Sequence, residues 1–138
     1  MSMVRYRPNN RHEIVKKQRP VNLDLNTIKF PPAAIASILH RVTGVAMFFA
    51  LLFVIYAWAT SVASVDGYNS VIAAMDAWYG KVILIGTLSA LSYHIIGGVR
   101  HLVMDMGHWE ELESGNNSAR IAIALWVLVT IALGVVLW

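Results

Sequence analysis

The sequence predicts an all-α membrane protein with three transmembrane helices. Three observations carry this reading. Hydrophobic residues make up 57% of the 138 residues and charged residues only 14%, well below the roughly 25% charged content of soluble domains. Three stretches, Val42–Val65, Val82–Val99 and Ile121–Trp138, contain no charge at all, and about 20 apolar residues cross a hydrocarbon core. Seven of the eleven Lys and Arg residues lie before Ala33, the asymmetry that fixes orientation in a membrane. Cysteine is absent, which excludes disulfides, thiolate zinc sites and cysteine-ligated iron–sulfur clusters within this chain.

Residues 1–32 form the first unit, a polar, basic segment carrying Arg5, Arg7, Arg11, Lys16, Lys17, Arg19 and Lys29. No apolar core follows its early charges before Ala33, so it does not have the layout of a secretory signal. Val21-Asn-Leu-Asp-Leu25 is expected to dock on a partner as an extended piece. The second unit, 33–138, holds the spans, at about 33–64, 81–106 and 119–138. Pro31-Pro32 suits a helix entrance. Tyr56 and Trp58 suit the far membrane interface. Asp66-Gly67 is a turn signal, and Asn69–Tyr79 is either an interfacial turn or an early start to the second helix. Gly107 marks that helix's stop. Glu110, Glu111 and Glu113 form an acidic loop closed by Gly115-Asn-Asn-Ser118, with Asn117 or Ser118 as the cap of the third helix. The third span offers no chemistry, and its Thr130 is expected to bond its own backbone as readily as anything else. The basic tail places the N-terminus in the cytoplasm, and three spans then place the C-terminus outside.

The polar residues gather at one end. His94, Gly97, Gly98, His101 and Asp105 share one helical stripe, and an imidazole within a membrane marks function or a polar partner. Ser37, His40, Arg41 and Gly44 share a stripe at the same end of the first span. Residue counting places His94 about 10 Å deeper than His101. A haem fits this layout, with His94 on the iron and propionates directed toward His40, Arg41, Arg100 or His101. His40 is expected to lie too near the surface to face His94, and the third span has no histidine. Six-coordinate iron therefore needs a ligand from another polypeptide; on spacing alone a five-coordinate haem, or no haem, fits as well. Plainer readings stand beside each of these: His94 as a helix-packing hydrogen bond, Gly97-Gly98 as a close helix contact, His101–Asp105 as a surface pair, Ser37 bonded to its own helix, Arg41 snorkelling to headgroups, and His12 and His108 simply exposed.

Lys16-Lys-Gln-Arg-Pro-Val-Asn-Leu-Asp-Leu25, Ser37-Ile-Leu-His-Arg-Val-Thr-Gly44 and the run from His94 through Arg100-His101 to Asp105-Met-Gly107 closely resemble the cytochrome b subunit of bacterial succinate dehydrogenase, respiratory complex II. The similarity extends over nearly the whole chain. It implies a part in a heteromeric helix bundle: a subunit that is non-catalytic alone, anchoring a flavoprotein and an iron–sulfur subunit at the bacterial inner membrane beside a second membrane anchor subunit. Membrane lipids are expected around it, and nucleic acid is not among its partners. The resemblance further implies haem b, shared with the companion anchor, and ubiquinone as substrate. Residue by residue, it assigns Ser37 and Arg41 to the ubiquinone pocket, His40 and Arg41 to the haem propionates, and His94 to the iron as axial ligand. It carries no assured role for His101. The competing readings are a haem-free structural anchor and a transporter component using Arg41, His101 and Asp105 as a relay.

Overall fold

The computed structural model describes Asp24 and residues 27–138. The basic residues of 1–23, His12, and the Val21–Leu25 docking piece apart from Asp24 lie outside the described residues. Four helices follow: α1 Pro32–Ala63, α2 Val65–Asp76, α3 Trp78–Asp105 and α4 Leu112–Leu137. Of these, α1, α3 and α4 are long and apolar enough to cross a membrane. They run up, down and up, and α2 lies at the end where α1 passes into α3.

Each boundary has a local cause. Pro31 is the extended cap residue of α1 and Pro32 its first helical residue, a position where the missing N–H costs nothing. Asn116 of α4 then accepts the Ala33 N–H at 3.2 Å, filling one of the donors a helix start leaves open. At the other end of α1, Ser64 is fully extended and its Oγ accepts the Gly67 N–H at 2.9 Å. This cap starts α2 at once, so Asp66-Gly67 is not the expected turn; both residues lie in the helix's first turn. Gly107 ends α3 in the left-handed region, φ 83°. Its N–H bonds Met104 O and the His108 N–H bonds Val103 O, the paired bonds of a Schellman stop.

The third span starts seven residues earlier than expected. Gly115, Asn116, Asn117 and Ser118 are helical, with Glu111 as the cap residue. These residues are weak helix formers, by up to about 1 kcal/mol for glycine. Tertiary bonds outweigh that cost. Asn116 caps α1, and Ser118 Oγ accepts from Arg100 Nε at 3.0 Å.

The bundle is apolar outside and small or polar inside. Phe48, Phe53, Leu128 and Val136 are among many exposed apolar residues, whereas Ala36, Thr43, Ser89, Gly97, Ser118, Ala119 and Ala122 are buried. Lipid tails are as apolar as leucine, so close approach through small residues and hydrogen bonds holds such helices together. Tyr93, with 0% exposure, joins all three spans. It projects from α3, donates its hydroxyl to Ala36 O of α1 at 2.9 Å, and sets its ring edge-on to Trp126 of α4 at 5.0 Å. Trp126 Nε1 donates to Ser89 O and Oγ, both at 3.0 Å. Thr130 does not bond back to its own helix; its hydroxyl pairs with Ser89 Oγ at 2.7 Å. Lys81 Nζ closes the far end by donating to Trp138 O at 2.9 Å. Tyr56, Trp58, Trp78 and Trp138 stay exposed near that end, as an aromatic belt requires.

Tyr93→Phe removes one hydrogen bond, and Tyr93→Ala removes the joint between three helices. Unfolding in mixed detergent–SDS micelles is expected to show losses of about 1 kcal/mol and about 3–5 kcal/mol respectively. Equal losses for the two would mean that the hydroxyl, not the ring, carries the joint.

Candidate functional site

The histidines expected at separate depths come together. The His40 and His94 rings stack with centroids 4.1 Å apart and planes 8° from parallel. His101 sets its ring edge-on to His40 at 5.0 Å. His40 is therefore not too near the surface to meet His94. It lies beside Gly97 and Gly98, about one helical turn deeper than the level of His101.

Glycines set this register. A Cβ on Gly97 would come within 2.8 Å of His40 Cδ2, and one on Gly44 within 3.1 Å of His94 Cε1. Each helix thus leaves a notch opposite the other's histidine: His40 with Gly44 on α1, His94 with Gly97 and Gly98 on α3. The glycine pair makes a close helix contact, as the plainer reading had it, and the object in the notch is an imidazole. His101, expected to pair with Asp105, turns to His40 instead. Asp105 is exposed and, among the described residues, makes no ion pair with it.

His94 is held by its Nδ1, which lies 3.2 Å from His40 O and 3.4 Å from Thr43 Oγ1. Thr43 Oγ1 already donates back to Leu39 O and His40 O. A carbonyl oxygen only accepts, so the bond to His40 O puts the proton on Nδ1. That leaves Nε2 of the neutral ring with its lone pair free for a Lewis acid. His40 presents the opposite case. Its Nε2 is buried and, among the described residues, has no hydrogen-bond partner, a costly condition for a ring nitrogen. Among the described residues, no group of three or more His, Asp or Glu side chains is placed to hold a metal ion.

Ser37 and Arg41 lie one turn apart on α1, Ser37 half-buried and Arg41 exposed. Ser37 does not bond back to its helix; among the described residues neither side chain makes a hydrogen bond or ion pair. Arg100 is not part of this cluster. It is buried against α4, where Nε donates to Ser118 Oγ and Nη2 to Gly115 O at 3.1 Å, so it does not face the histidines as a propionate partner. His108 is exposed. Tyr93, whose hydroxyl fixes α1 against α3 one residue from His94, was missed as a positioning residue. Its only signal in the sequence was a tyrosine inside an apolar run.

The notches give a matched pair of substitutions. A Cβ at Gly86 meets nothing within 4 Å. Gly86→Ala is expected to leave unfolding unchanged or raise stability by up to about 1 kcal/mol, while Gly97→Ala lowers it because the His40 ring must move. Equal stabilisation by both would mean that no notch exists at Gly97.

A family profile described as "Succinate dehydrogenase/Fumarate reductase transmembrane subunit" matches residues 15–133. The chain is 34% identical over 123 residues to the "Succinate dehydrogenase cytochrome b556 subunit" of Coxiella burnetii, covering 88% of this chain and 98% of that protein. The subunits of the same name from Rickettsia bellii and Paracoccus denitrificans are 36% and 30% identical, with 91% and 86% of this chain and 97% and 92% of theirs covered. The chain belongs to the succinate dehydrogenase/fumarate reductase transmembrane subunit family.

Proposed function

We propose that the chain is the cytochrome b anchor of a succinate:ubiquinone oxidoreductase. It would hold the flavoprotein and iron–sulfur subunits at the inner membrane and share haem b with a companion anchor. The N-terminus lies in the cytoplasm and the C-terminus in the periplasm, following the basic tail.

The observation that carries the haem is the bond from His94 Nδ1 to His40 O. Metal-binding histidines are oriented by such a bond on the other ring nitrogen, commonly to a backbone carbonyl. The residues fit the group in two further ways. The orphaned His40 Nε2 wants a hydrogen-bond partner of the kind a propionate carboxylate offers, and exposed Arg41 on the next residue adds a guanidinium suited to carboxylates. His40 itself does not complete the coordination. The His40 and His94 rings are stacked face to face, so their ring nitrogens do not converge on one point between them, and His94 alone of the two would hold the iron. A second protein ligand to the iron would come from the companion anchor. When bound, the haem supplies a one-electron store whose potential its axial ligands and surroundings tune.

Ser37 and Arg41 serve the quinone. With no partner among the described residues, the Ser37 hydroxyl is available to donate to a quinone carbonyl oxygen. Arg41 places a fixed positive charge where negative charge accumulates as ubiquinone takes up two electrons and two protons, the logic of a preorganised oxyanion site. The remaining walls of that pocket come from the partner subunits.

Two substitutions test the assignments in the intact complex. His94→Leu is expected to abolish or shift the haem absorption while succinate oxidation by a soluble dye continues; an unchanged haem spectrum at low temperature would refute the ligand. Ser37→Ala and Arg41→Leu should each slow quinone reduction on the order of tenfold or more, again sparing the dye reaction. Wild-type rates in both assays would remove these residues from the pocket.

A further inference from the structure

On the opposite side of α3 from the histidines lies a second polar feature that the haem and quinone do not use. Arg100 is only 5% exposed, and its two bonds go to neutral acceptors, Ser118 Oγ and Gly115 O. Among the described residues no carboxylate lies within ion-pair range of it. A guanidinium keeps its charge in any protein environment, and a buried charge in a membrane span calls for a counter-charge. Arg100 also lines a cleft of about 440 Å³ between α3 and α4.

The cleft has two unlike ends. Ser114, Asn117 and Arg100 gather where α3 ends and α4 begins, and Val99, Ile121 and Leu125 line the remainder as an apolar slot. Val99 and Ile121 are exposed to the surroundings of the bundle. Arg120 stands beside the polar end, its Nη1 donating to Asn117 Oδ1 at 3.1 Å. A second cation is thus within reach of the same occupant. Glu110, Glu111 and Glu113, all exposed in the adjoining loop and first turn of α4, disfavour a small free anion. An occupant held also by an apolar tail overcomes that repulsion.

We infer that this cleft is a binding site for an acidic phospholipid, with the phosphate on Arg100 and an acyl chain lying along Val99, Ile121 and Leu125. The charge calls for an anion and the slot calls for a hydrocarbon tail; a phospholipid joins the two at the depth of a helix end. Basic pockets between transmembrane helices bind acidic headgroups by this charge pairing, and the guanidinium fork suits phosphate oxygens.

Native mass spectrometry of the purified complex, challenged with equimolar phosphatidylglycerol and phosphatidylcholine, tests the site. The wild type is expected to retain phosphatidylglycerol in preference, by about tenfold or more. Arg100→Gln and Ile121→Trp are each expected to retain one molecule fewer per copy of this chain. Ile121→Trp fills the slot and leaves the Arg100 bonds in place, so it decides the matter if Arg100→Gln does not assemble. Absence of preference in the wild type, or a lipid count in Ile121→Trp equal to the wild type, overturns the site. Either result would point to a neighbouring subunit's carboxylate as the counter-charge of Arg100.

Discussion

The close crossing of α1 and α3 is the constraint on which the site depends. Gly97 gives the His40 ring its space and Gly44 gives the His94 ring its own. Only at that separation does His94 Nδ1 reach a backbone carbonyl of the other helix. The carbonyl is a rigid acceptor, fixed by the helix that carries it. It sets both the orientation of the ring and the nitrogen that keeps the proton. A side-chain acceptor would do the second with less certainty, because it could rotate away.

The bundle has little apolar core with which to hold this crossing. Its polar ties are therefore spread along its length. Asn116 caps α1 at one end, Arg100 binds the start of α4, Tyr93 joins three helices near the site, Ser89, Trp126 and Thr130 meet farther along, and Lys81 holds Trp138 O at the other end. Each tie is modest by itself, of the order of 1 kcal/mol for a neutral hydrogen bond. Together they fix the sliding register of the helices, which uniform apolar packing would leave loose. The site's geometry is a product of that register.

Helical spacing made much of this legible. Charge-free runs showed the three spans, and period-3.6 arithmetic put His94 on the glycine stripe. The same arithmetic could not show how far one helix slides past its neighbour. Counting residues from the span ends placed His40 level with His101, and the glycine notches move it one turn toward His94. Nor could spacing name partners across helices. Thr130 and His101 each had a near candidate within their own helix, and Arg100 was expected to face the propionates; each took a partner on another helix instead. The start of α4 was misjudged for a related reason. Gly115-Asn-Asn-Ser118 has the composition of a loop, but the side chains of Asn116 and Ser118 are used to bind α1 and α3.

The two notches are similar: a histidine stands four residues before its helix's notch glycine on α1, as His40 and Gly44, and three before it on α3, as His94 and Gly97. An antiparallel contact of this kind is close to self-complementary, so either helix carries much of what is needed to pair with a second copy of itself. In water, that likeness would invite homotypic mispairing. In a bilayer every copy is threaded in one direction, so identical helices on neighbouring molecules meet only in parallel, and the notch cannot close. Insertion topology thereby performs the discrimination between self and proper neighbour that the side chains do not.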